Sequence, residues 1–270
     1  TQMTTLKLSG KLADTDISGA ATIAQVLADY ALIINDLRNG IVLSSEPAGS
    51  PSGRTQIYKD PEGTGSFGDY TLKGAGIVSR GLDGELISYK SQFTAAKVSS
   101  DDGETSIKTL IDAETTPKSV TSSTKVDSVN FVGGDDSKWS VTGTYTHKLS
   151  QNGITGEGST AESMVINSVS STDSDGNSLR FSGDVKFDYS TDEYVGYFTS
   201  MTLSFGSDSL TSSGYGTKIT ATGLKMTYED LLALNADLVS DLLPYMLKGN
   251  DVITTAGNDP TEAIAGYGGN

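Results

Sequence analysis

Residues 138–153 read KWSVTGTYTHKLSQNG, and this stretch decides the fold. Apolar and aromatic positions alternate with Ser, Thr and Lys at a period of two, the pattern of a strand with one face buried and one face wet. The run ends on Asn152-Gly153, the dipeptide that most strongly marks a hairpin between alternating segments. The same period recurs in DYTLKGAGIVS (69–79), GELISYKSQFTAAKVSS (84–100) and LRFSGDVKFDYS (179–190), with turn pairs at Asp83-Gly84 and Asp175-Gly176. From about Ser66 onward the chain therefore reads as a long antiparallel sheet. TSIKTLIDAE (105–114) is expected to interrupt it as a short helix. Glycines echo through the strands: Gly143, Gly183 and Gly223 lie 40 residues apart, as do Gly156 and Gly196, and Gly176 and Gly216. A fixed period of this length can mark a duplicated strand unit.

Helices flank the sheet. In ISGAATIAQVLADYALIINDLRNG (17–40), Ile23, Val26, Leu27, Tyr30, Ile33, Ile34 and Leu37 recur every three or four residues, and Asn39-Gly40 supplies a stop. Residues 41–65 are loop-like. In MTYEDLLALNADLVSDLLPYMLKGN (226–250), Thr227 and Asp230 have the spacing of a capping box, and Leu231, Leu234 and Leu238 form one face. Pro244 should break this stretch and Gly249 should close it. The fold class is α+β: one domain over residues 1–248, in which a large antiparallel sheet packs on an N-terminal helix and a C-terminal helical stretch. The Ser/Thr-rich strand positions belong to a solvated face.

Composition narrows the function. The 270 residues carry 34 acidic and 19 basic side chains, a formal charge of −15, which repels nucleic acid and anionic membranes. There is no cysteine, hence no disulfide or thiolate metal site. No apolar run approaches the roughly 18–20 residues of a membrane span, and residues 1–16 lack the pattern of a cleaved signal peptide. A single histidine, His147, cannot complete a two-histidine metal site and sits within a strand. No nucleophile elbow, zinc-protease motif or phosphate-binding loop is present. Tyr194, Tyr197 and Tyr215 fall near expected turns, as packing or contact residues. The reading is non-enzymatic; a glycan-binding or glycan-cleaving module has only acidic abundance behind it.

The tail, LKGNDVITTAGNDPTEAIAGYGGN (247–270), repeats Gly-Asn-Asp and ends in Gly-Gly-Asn. It resembles the start of a repeat-in-toxin (RTX) array, whose nonapeptide runs G-G-x-G-x-D-x-U-x with U apolar. Glycines permit tight turns, and carboxylates with backbone carbonyls suit Ca²⁺, a hard cation. The resemblance implies a tail domain over 249–270 in which Asp251 and Asp259 are carboxylate ligands. Gly249, Asn250, Gly257 and Asn258 would supply turns or carbonyls, and Ile253 and Ile264 the apolar positions. The spacing departs from the family: Gly249 to Gly257 is eight residues, and Pro260 follows Asp259 directly. The resemblance further implies a bacterial protein exported without a cleaved leader to the medium or cell surface. GDVKFDYSTDEYVGYFTSMTLSFGSDSL (183–210) also looks loosely like the sheet of secreted haem-binding hemophores. Two functions follow as expectations. The first is a secreted structural or adhesive protein, a homo-oligomer or cell-surface component, self-assembling through strand edges with calcium; TTLKLSGKL (4–12) would add to a neighbour's sheet. The alternative is a haem carrier using His147 or a tyrosine.

Overall fold

The computed structural model describes residues 5–9, 22–39, 56–59, 69–80, 86–204, 218–234 and 252–256. In chain order these form β1 (Thr5–Ser9), α1 (Ile23–Asn39), β2 (Gln56–Lys59), β3 (Asp69–Arg80), β4 (Leu86–Ser100), β5 (Gly103–Thr116), β6 (Ser119–Gly133), β7 (Lys138–Asn152), β8 (Gly158–Thr172), β9 (Ser178–Asp188), β10 (Glu193–Ser204), β11 (Lys218–Met226), α2 (Tyr228–Leu232) and β12 (Val252–Ala256). The strands make one sheet in the order β12-β1-β11-β10-β9-β8-β7-β6-β5-β4-β3-β2. From β2 to β11 it is an antiparallel meander. β1 then pairs antiparallel with β11 and parallel with β12. The α+β expectation holds.

One face of the sheet is apolar, and α1 lies on it against β6, β7 and β8. All seven residues expected on the helix stripe are buried, from Val26 and Ile33 at 0 % to Ile34 at 6 % exposure. They meet Ile107, Val129, Val141, Tyr145, Ile166, Phe181 and Phe198 from the strands in a single core. Each such side chain contributes about 1.5–3 kcal/mol on burial, so an isolated 17-residue helix of marginal stability in water is held by the sheet. Thr22 starts it, its Oγ1 accepting from the Gln25 N–H. α2 begins with the expected capping box: the Asp230 N–H donates to Thr227 Oγ1 and the Thr227 N–H to Asp230 Oδ2. Leu231 is buried and Leu234 packs against the core; Leu238, Pro244 and Gly249 lie outside the described residues.

The expected helix at 105–114 is a correction. These residues are in β5, where buried Thr105, Ile107 and Thr109 alternate with exposed Glu104, Ser106, Lys108 and Leu110. Period two, with β-branched residues inward, overrides the three-and-four spacing of Ile107, Leu110 and Ile111. The turn at Asn152-Gly153 is also wider than a two-residue hairpin: β8 resumes only at Gly158, and the positive φ falls on Gly156. The Asn152 side chain accepts from the Ile154 and Thr155 N–H groups, steering the loop outward. Asp175-Gly176 behaves as expected, with Gly176 at φ +85° following a turn in which its N–H donates to the Asp173 carbonyl. Asp83-Gly84 lies outside the described residues.

A line of bulges crosses the sheet. Thr94 in β4, Asp127 in β6, Asn167 in β8 and Thr199 in β10 are each skipped in the pairing with the preceding strand. Opposite them stand Gly74, Thr109, Gly143 and Gly183. A Cβ at the three glycines would collide with the carbonyl oxygens of Gln92, Val165 and Tyr197 respectively. Gly223, at φ +79°, adjoins the same irregularity on β11. Of the glycines spaced by 40, Gly143 and Gly183 thus share one structural role, Gly223 differs in its positive φ, and Gly156 is in a turn and Gly196 in a strand. Bulges bend a strand and raise its twist, so a row of them curves the whole sheet at mid-length.

The opposite face is polar and cross-linked between strands. Thr142 and Ser168 share a 2.7 Å hydrogen bond, as do Thr146 and Ser163, and Ser140 donates to Asn130 at 2.7 Å. Ion pairs Lys90–Glu114, Lys97–Glu104 and Lys125–Asp127 join neighbouring strands or bridge the bulge. Being solvent-exposed, each adds at most about 1 kcal/mol; they solubilise the face.

Candidate functional site

Among the described residues, part of β3 is paired on one side only. β2 covers only Thr71–Gly74 of this twelve-residue strand. Ala75–Arg80 pair with β4 on one side and, among the described residues, with nothing on the other. Six residues at about 3.3–3.4 Å each make roughly 20 Å of strand that, among the described residues, is unpaired on that side, and such an edge is a template for a further strand. The expectation that the segment around β1 adds to a neighbour's sheet is corrected. β1 pairs along its length on both sides, Thr5 with Thr222 of β11 and with Val252 of β12, so its backbone groups are already engaged.

Beneath α1 lies a cluster of tyrosines around one carboxylate. Tyr145 of β7 donates to Glu162 Oε1 of β8 at 2.7 Å, and Arg38, in the last turn of α1, meets Glu162 Oε2 at 3.2 Å. The Tyr189 hydroxyl, from the β9–β10 turn, joins the same carboxylate. Phe187 packs edge-on against Tyr189 and Tyr194, and Tyr194 stacks on Tyr228 of α2 with centroids 3.6 Å apart. Tyr70 of β3 makes a second tether, donating to Asp36 Oδ2 of α1 at 2.8 Å. Burial, reinforced by the neighbouring carboxylate, pushes the Tyr70 and Tyr145 hydroxyls well above the usual phenol range. Burial does the same at Tyr30, Tyr189 and Tyr194. These side chains resist becoming phenolates, the form in which tyrosine binds ferric iron. His147 is half-buried on β7 and pairs across the sheet with Thr124 and Glu162. Tyr197 is 47 % exposed and Tyr215 lies outside the described residues.

Sequence reasoning did not single out Glu162. A signal existed: it holds the core-facing phase of the run that continues through Met164 and Ile166, where an acid requires partners.

Three turns at one end of the sheet carry paired acids: Asp101-Asp102, Asp135-Asp136, and Asp173 with Asp175. Two of these carboxylates serve their own loops. Hydrogen bonds from the Ser137 hydroxyl and then its N–H, which donates to Asp135 Oδ1, hold the Asp135 carboxyl below the usual range, and Asp173 accepts from the Asp175 and Asn177 N–H groups. No grouping of three or more His, Asp or Glu side chains suited to a metal occurs among the described residues.

The expected calcium ligands Gly249, Asn250, Asp251, Gly257, Asn258 and Asp259, and Ile264, lie outside the described residues. Between the two Gly-Asn-Asp triplets, Ile253 is in β12, opposite Leu6 of β1, so this segment joins the main sheet. No helix among the described residues is long and apolar enough to cross a membrane. No protein-family model matches the sequence, and no curated protein or solved structure matches it.

Proposed function

We propose that this chain is an extracellular, non-enzymatic structural or adhesive protein that self-associates by adding strands at the β3 edge. The observation that supports this reading best is the Ala75–Arg80 backbone, paired on one side only among the described residues. Its sequence, AGIVSR, carries the β-branched pair Ile77-Val78 that strand pairing favours. Pairing of β3 with β3 of a second copy closes at a dimer. Pairing with β12 of a second copy is head-to-tail and extends into filaments. The RTX-like tail supplies the calcium link: Asp251 and Asp259 flank β12 in sequence, and ions held there would order that edge in a calcium-rich medium.

Sedimentation velocity over a range of protein concentrations, with and without about 5 mM calcium, a level that loads weak extracellular sites, tests the reading. Concentration-dependent association, stronger with calcium and abolished by Asp251→Ala with Asp259→Ala, is the expected result. A strictly monomeric protein at every concentration, in both media, rules the proposal out.

A further inference from the structure

A cavity of about 400 Å³ opens where the first two turns of α1 overhang the strand ends. Gln25 and Asp29 come from the helix, Asp102 from the β4–β5 turn, Phe131 from β6, and Lys138 and Trp139 from β7, with serine and threonine hydroxyls between them. Its size falls in the range of roughly 300–1,000 Å³ that takes small ligands. Phe131 and Trp139 stack at 5.7 Å with planes 15° apart, Phe131 half-buried and Trp139 buried behind it. This pair belongs to a cross-strand row, Thr105–Phe131–Trp139–Ser171, running over β5, β6, β7 and β8. Thr105 Oγ1 and Ser171 Oγ, at the two flanks of that row, are buried and have no hydrogen-bond partner among the described residues. Neither residue lines the cavity, so what a ligand there meets is the ring pair and the polar side chains around it.

From this lining we infer that the cavity is a binding site for a neutral saccharide. The chemistry excludes the simpler alternatives. Asp29 and Asp102 repel an inorganic anion, and Lys138 repels a small cation that two carboxylates alone would hold poorly. The lining combines acceptor-only carboxylates, a donor-only ammonium, an amide that does both, and hydroxyls. Sugar hydroxyls donate and accept, and so match that mixture, while the apolar C–H face of a pyranose suits the Phe131 ring. Asp29 already accepts from Gln25 Nε2 at 2.7 Å, which orients its carboxylate, and burial raises its proton affinity. This site stands apart from the β3 edge and does not depend on self-association.

Trp139 is the single tryptophan of the chain, so its fluorescence reports this site alone. The full chain would be titrated with glucose, galactose, mannose, N-acetylglucosamine, maltose, cellobiose and lactose, and positives confirmed by calorimetry. At least one sugar is expected to give a saturable change with a Kd of about 1 mM or tighter, a moderate affinity. Asp102→Ala, on an exposed turn, weakens binding tenfold or more, as does Asp29→Ala; circular dichroism confirms that both variants fold. No saturable change with any sugar overturns the assignment. So does undiminished affinity in either variant, or saturation by choline or inorganic phosphate in place of the sugars.

Discussion

At the residue scale, the bulge line sets the tightest demands. Adding a methyl group at Gly143 or Gly183 drives it into a backbone carbonyl that cannot rotate away. Gly183→Ala should therefore cost about 3 kcal/mol, the upper end of overpacking losses, read as a lower denaturation midpoint at unchanged slope. Thr109, which occupies the equivalent position on β5, shows how a side chain is tolerated there: its Oγ1 donates to the Lys125 carbonyl at 2.7 Å. Thr109→Val keeps the shape but loses the bond, and should cost about 1–1.5 kcal/mol, with Thr109→Ser closer to the parent. The glycine spacing was visible in the sequence, yet its purpose was not. A glycine facing a bulge is defined by the register of two strands, and register emerges only when the strands are paired.

At the scale of elements, α1 was readable because its stripe is seven residues deep and faces one way. β5 was not: Ile107, Leu110 and Ile111 satisfy a helical spacing by accident, and only the neighbours on β4 and β6 select the strand. What fastens α1 at particular points was illegible, since Tyr70–Asp36 and Tyr145–Glu162–Arg38 join residues far apart in the chain. Glu162→Ala should cost about 1.5–3 kcal/mol, because a buried phenol loses its charged acceptor. These hydroxyls also fix the response to alkali. Their folded proton affinity is raised above the ordinary phenol value near 10, so the folded chain holds more protons than the unfolded one at high pH. Their contribution is complete below about pH 10 and is lost as the pH climbs beyond it. Thermal melts should show a falling Tm above that point, with phenolate absorbance from the buried tyrosines appearing together with unfolding.

For the whole molecule, the long meander, its apolar face and its polar face all follow from the period-two pattern. The edges do not. Which strand closes a sheet depends on where distant segments return, and the segment around β1, by composition the natural free edge, is instead covered on both sides. If β3 is the contact edge, charge there should block it: Ile77→Lys, out of phase with buried Tyr70 and Leu72, is expected to leave a folded monomer with unchanged secondary structure and abolished self-association. Analytical ultracentrifugation of the variant beside the parent protein makes the comparison.

The position of β1 carries one more consequence. Strands β4 to β10 are joined to their neighbours by short turns, so most of the sheet can form as the chain lengthens. β1 has to wait for β11, because Thr5 meets Thr222. Contacts this distant in sequence form slowly. During synthesis β1 thus stays unmated until β11 has been made, and the second tie, to β12, comes later still. The last pairing joins two segments that lie far apart in the sequence.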